Sequence, residues 1–113
     1  MGYEFHITRA KHWTQSETQP ISAQEWLRFI ESDSELAIDP RGNGDHFALW
    51  SRHKIGGDFV WFDWNRGQVF TKHPNQTTLG KMLAIARHLG AIVQGDEGET
   101  YNRADDPNVP SAY

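Results

Sequence analysis

Cysteine is absent from the chain, and with it go a disulfide framework, a thiol nucleophile and any thiolate metal site. Its absence fits a reducing compartment. Also lacking is any window approaching the roughly 18 apolar residues of a membrane span. The opening Met1-Gly2-Tyr3-Glu4-Phe5-His6 has no basic region followed by an apolar run, as a secretory leader would. A soluble, cytosolic protein with no membrane partner is therefore expected. Charge of one sign is scarce over most of the chain, because residues 1 to 90 hold ten acidic and ten basic side chains. No basic footprint exists to meet nucleic acid.

The net charge of −4 lies in the last fifth, where Asp96, Glu97, Glu99, Asp105 and Asp106 face only Arg103. Such a segment suits a basic partner, and its plainer reading is a solvated acidic tail. At 113 residues the chain is one domain by size, long enough to bury a core without staples. Five tryptophans should dominate that core.

Tyr3-Glu4-Phe5-His6-Ile7-Thr8-Arg9 alternates apolar and polar residues, so a half-buried first strand is expected, with Tyr3, Phe5 and Ile7 inward and Glu4, His6 and Thr8 on the other face. Residues 10 to 20 lack a period and read as a loop. Trp13 is its one large anchor, either plugging the edge of the core or offering a binding surface, and the plug is favoured. Ser22-Ala23-Gln24-Glu25 is a capping box, and Ala23, Trp26, Leu27 and Ile30 continue it as one apolar stripe. Residues 35 to 39 allow a short strand, and His46 to Arg52 form another, after a turn containing Gly42 and Gly44.

The stretch from Gly57 to Gly95 holds a hairpin, a helix and a returning strand in succession. Phe59 to Trp64 carries large apolar side chains at both parities, which predicts a central strand covered on both faces. Asp63 within it must be paired or face solvent. Asn65-Arg66-Gly67 matches a three-residue hairpin loop. After Pro74, with Asn75 or Thr77 as cap, Leu79, Met82, Leu83, Ala86 and Leu89 form the second helix, stopped by Gly90; Lys81, Arg87 and His88 are expected outside. Residues 91 to 94 return as a strand. The order β-α-β-β-β-β-α-β predicts a single α+β domain over residues 1 to 101, a mainly antiparallel sheet of about five to six strands with two principal helices, and a polar tail over 102 to 113.

Chemistry-bearing constellations are sparse. None of the six histidines has a metal-binding spacing, although distant ones such as His6 and His46 could still meet. Asp58, Asp63, Asp96, Glu97 and Glu99 are acid or base candidates without a fixed pair. Gly95-Asp96-Glu97-Gly98-Glu99 lacks the ligand spacing of a calcium loop, and no serine sits in a nucleophile elbow. No enzyme, cofactor or metal is expected.

Residues 3 to 9 with Trp13, the pair Glu25-Trp26, Thr78-Leu79-Gly80-Lys81-Met82 with Ile85-Ala86, and Val93 to Tyr101 resemble a recurring set in small stand-alone bacterial proteins, some of them similar to immunity proteins of contact-dependent growth inhibition and other polymorphic toxin systems. The resemblance spans residues 3 to 101. It implies an immunity protein that binds and neutralises a cognate toxin domain, commonly a nuclease, and it carries over no catalytic residue. On that footing Asp96, Glu97, Glu99 and Tyr101, together with Trp13 and Asp58, are candidates for the interface. The rival reading makes residues 95 to 101 a fold feature closing the last strand. A small enzyme or ligand-binding protein with a pocket lined by Trp13, Trp61, Trp64 and histidines is the alternative function.

Overall fold

Two helices lie on one face of a seven-stranded antiparallel sheet in the computed structural model, which describes residues 3–42, 44–55, 57–72 and 74–105. The strands are β1 (Glu4–Thr8), β2 (Leu36–Ile38), β3 (Ala48–Ile55), β4 (Asp58–Asn65), β5 (Gln68–Lys72), β6 (Ile92–Gly95) and β7 (Thr100–Tyr101). Across the sheet they run β2-β3-β4-β5-β1-β6-β7. The α+β class is as expected, and β7 is the strand the sequence pattern does not announce. Two residues are too few to carry a period. Of the expected tail, residues 106 to 113 lie outside the described residues.

Helix α1 (Ala23–Ser32) begins at the capping box: Glu25 N–H donates to Ser22 Oγ at 3.1 Å, and Ser22 N–H donates to Glu25 Oε1 at 3.0 Å. Its buried side chains are Trp26, Phe29 and Ile30, so Phe29 joins the expected stripe. Helix α2 (Gln76–Leu89) is capped by Asn75, whose Oδ1 accepts from Thr78 N–H at 2.9 Å, and it ends at Gly90 in the left-handed conformation at φ 64°. Leu79, Met82, Ile85 and Ala86 face the sheet and are buried with Phe5, Ile7, Phe62, Val69 and Val93. Burying each of these larger side chains contributes about 1.5–3 kcal/mol.

Lys81 departs from expectation. It turns inward, donating to Asp33 Oδ2 at 2.6 Å and to Glu35 Oε1 at 3.2 Å, with its side chain only 11% exposed. The loop after α1 supplies those carboxylates, which the spacing within α2 cannot foretell.

Two hairpins also differ from the pattern. Strand β3 continues through Ile55, past the expected turn, because an irregularity between Trp50 and Lys54 shifts the register so that Lys54 pairs with Phe59 and Ile55 with Asp58. At the β4–β5 corner Asn65 pairs with Gln68, leaving a two-residue loop rather than three. Arg66 at φ 50° and Gly67 at φ 88° both take the positive values that a type I′ turn requires.

Register fixes the two faces of the sheet. Phe5 lies opposite Thr71 and Gly95, and Ile7 opposite Val69 and Val93, all toward the helices. His6 lies opposite Phe70 and Gln94 on the other face. Of the three residues expected on the other face of β1, two are buried, since His6 is 1% exposed and Thr8 is fully buried. The cause is a 3₁₀ helix, Trp13–Thr18, formed within the expected loop and laid over this end of the open face. Thr8 Oγ1 meets Ser16 Oγ at 2.7 Å beneath it.

Candidate partner-binding face

Trp13 reaches the open face because its chain segment is pinned to the sheet. Gln94 Oε1 accepts from Trp13 N–H at 2.9 Å, and Gln94 Nε2 donates to the Lys11 carbonyl at 2.6 Å. The indole then lies flat on His6, and its Nε1–H donates to the Asp96 carbonyl at 3.0 Å. Trp13 is half-buried and covers His6 on the open face rather than the edge of the apolar core. Beneath it, His6 Nδ1 stands 2.6 Å from Gln68 Oε1 and Nε2 stands 2.8 Å from Asp96 Oδ1. The second carboxylate oxygen of Asp96 accepts from Glu4 N–H at 3.1 Å.

Of the other candidates in the acidic segment, Glu97 is exposed at the tip of the turn. Glu99 folds inward: Oε2 accepts from the Tyr3 and Tyr101 hydroxyls, and Oε1 accepts from Glu97 N–H at 3.1 Å. Tyr101 is 3% exposed, on the helix side of the sheet. Burial, reinforced by the Glu99 carboxylate, pushes the Tyr3 phenol well above the ordinary tyrosine range. A side chain at Gly95 would collide with the Tyr3 hydroxyl and the Glu99 carboxylate. Residues 95 to 101 thus close the last strand with two of their three carboxylates turned to the fold.

Asp58 begins β4 at the same end of the sheet where Lys72 ends β5 and Glu4 begins β1. Lys72 Nζ lies 3.8 Å from Glu4 Oε2. Asp58, Glu4, Asp96 and Glu97 therefore occupy one rim of the sheet. Trp13 stands over His6 behind that rim.

The centre of the open face is aromatic. Phe47 and Trp61 stack with centroids 4.9 Å apart, and Trp61 meets Phe70 edge to face at 5.8 Å. Leu49 pairs with Trp61 on the same face, and all four are half-buried. Phe59, two residues before Trp61, is exposed. The sequence pattern expects β4 to be covered on both faces, and the structure corrects this: Val60 and Phe62 pack under the helices, while Phe59 and Trp61 face outward. Asp63 sits half-buried opposite Phe70, where burial raises its carboxyl above the usual range despite a hydrogen bond from Trp64 N–H at 2.8 Å.

Where β4 and β5 part beyond the Asp63–Phe70 pair, a cleft of about 210 Å³ opens, lined in part by Asp58, Phe59, Trp61, Thr71 and Lys72. Trp13 lines a different cleft, beside Arg66 and Gln68. Trp64 lies on the helix face, its indole N–H donating to the Ile21 carbonyl at 2.8 Å. The three tryptophans of the alternative pocket are thus not brought to one cavity.

Sequence reasoning missed Phe47 and Phe70 as members of a surface. Their signal was the shared parity of Phe59 and Trp61 in β4, together with aromatic residues one strand away on either side. No helix among the described residues is long and apolar enough to cross a membrane. Compared with known proteins, the chain matches no family model, no curated protein and no solved structure.

Proposed function

We propose that this chain is a binding protein that neutralises a toxin domain made by the same or a neighbouring cell, and that the open face of its sheet is the docking surface. The observation carrying this reading is the aromatic row Phe47, Trp61 and Phe70 on a sheet face that the helices leave uncovered. Half-buried aromatic rings supply rigid contact area at low entropic cost; aromatic residues are enriched at protein interfaces, and tryptophan is among the residues that most often carry the binding energy there.

The occupant is a protein with a basic rim around an apolar patch. Glu4, Asp58, Asp96 and Glu97 at the strand ends outnumber Lys54 and Lys72 there, which favours encounter with such a surface. A nuclease domain carries that kind of charge, as the sequence resemblance implies. Asp96 and Trp13 contribute as a rigid wall, with their polar groups already held by the fold.

The test is co-purification with the toxin domain encoded next to this chain, followed by the toxin's activity assay with and without added protein. Stable co-elution with loss of activity is expected. A toxin that stays fully active at saturating protein overturns the reading.

A further inference from the structure

We propose that Glu4, His6 and Asp96 form a three-ligand site for a divalent first-row transition cation, with zinc(II) best suited to the donor set. Strand geometry assembles it. Glu4 and His6 are two residues apart and share one face of β1, while β6 runs antiparallel with Gln94 opposite His6 and Gly95 opposite Phe5, which brings Asp96 beside Glu4. One donor atom from each of the three lies within 4.8 Å of the others. His6 Nε2 is 2.8 Å from Asp96 Oδ1 and 4.0 Å from Glu4 Oε1. A tetrahedral cation about 2.0–2.2 Å from each donor holds the donors about 3.3–3.6 Å apart, so on binding Asp96 Oδ1 moves away from His6 and Glu4 Oε1 moves toward it, each by about half an ångström.

The imidazole carries the argument. It is 1% exposed, and both of its nitrogens face oxygen atoms. The Gln68 carbonyl at Nδ1 accepts a hydrogen from that nitrogen, which leaves the Nε2 lone pair aimed at a carboxylate oxygen 2.8 Å away. That 2.8 Å gap is one that either a ring N–H donor or a metal ion bridges. The surroundings match what orients a ligating histidine: an acceptor on the far ring nitrogen and a flat neighbour fixing the ring plane.

Asp96 is equally constrained. Glu4 N–H holds its Oδ2, Trp13 Nε1–H holds its carbonyl, and Oδ1 is left toward His6. Glu4 and Asp96 are each about one-third exposed, which gives an ion a path in. Lys72 approaches only the second oxygen of Glu4, at 3.8 Å. One imidazole and two carboxylates without thiolate suit zinc(II) or manganese(II), and three protein ligands leave a position open to water or to a donor from a partner.

The test uses untagged full-length chain stripped with a chelator, titrated with cobalt(II) by visible absorption and with zinc(II) by calorimetry. One ion per chain is expected. Glu4→Gln and Asp96→Asn should each weaken binding by about tenfold or more, while His88→Gln at an exposed position of α2 leaves it unchanged. Glu4→Gln is the safer variant, because the Glu4 side chain makes only the two loose ion contacts at 4.0 and 3.8 Å. Binding no tighter than about 1 mM overturns the proposal. Tighter binding that Glu4→Gln and Asp96→Asn leave intact places the ion elsewhere and overturns it equally.

Discussion

The indole of Trp13 lies over the imidazole of His6 with ring centroids 3.9 Å apart and planes within 2° of parallel. That stack joins a segment without periodicity to β1, an interior strand of the sheet, and the Trp13 Nε1–H ties the same segment to Asp96. Trp13→Ala would expose His6 and remove the cover from Asp96. A loss of about 2–3 kcal/mol is expected, read as a lowered urea midpoint with an unchanged slope. An unchanged midpoint would mean that the 3₁₀ helix is not structurally coupled to β1.

Gly67 is bound to its identity twice over. Its φ of 88° disfavours a side chain, and a Cβ there would stand 2.7 Å from the Ser16 carbonyl and 2.9 Å from Pro20 Cβ. Gly57, at φ 87°, has nothing within 4 Å of such a Cβ. Gly67→Ala should therefore cost about 2–4 kcal/mol and Gly57→Ala only about 1 kcal/mol, compared by thermal or urea unfolding. Equal losses would show that the hairpin does not press on the 3₁₀ helix.

Arg9 grips Glu25 with two hydrogen bonds, at 2.9 and 2.7 Å. Together with the Ser22 backbone, that grip holds the Glu25 carboxyl at about 2, below its ordinary value of 4.5. A carboxyl lowered on folding stabilises the fold above its unfolded value, and that contribution disappears as pH falls through 4.5 toward about 2. Glu25→Gln keeps a capping-box side chain while removing the charge. The stability gap between wild type and this variant should shrink across that interval in urea titrations. A gap independent of pH would remove the ion pair from acid stability.

Much of the scaffold is legible in the sequence because it rests on local rules. The Ser22 to Glu25 box, the Leu79 to Leu89 stripe, Gly90 as a stop and the inward parity of Phe5 and Ile7 are all decided within a turn or a strand. The departures are long-range. Trp13 on His6, Lys81 on Asp33 and Tyr3 on Glu99 depend on which segments the fold brings together, and no window of sequence carries that. The open face illustrates a different limit. Large apolar side chains at both parities of β4 read as two covered faces, and composition cannot distinguish a face covered by its own chain from one left for a partner.

Within residues 95 to 101, Glu97 is the exposed carboxylate, whereas Asp96 and Glu99 are held by hydrogen bonds to the fold. Glu97→Lys alone should slow association with a basic toxin domain by about two- to fivefold at low salt and leave stability unchanged. Reversing Asp96 or Glu99 should instead lower the unfolding midpoint. An on-rate insensitive to Glu97→Lys would take the turn out of the encounter surface.

The most direct measurement is a titration of the toxin domain's activity with wild type and with Trp61→Glu, whose position on the open face lets the variant keep its fold, as checked by circular dichroism. Wild type should inhibit stoichiometrically, and the variant should need about 30-fold more protein or greater. Equal inhibition by both, or none by wild type, would contradict the open face as the neutralising surface.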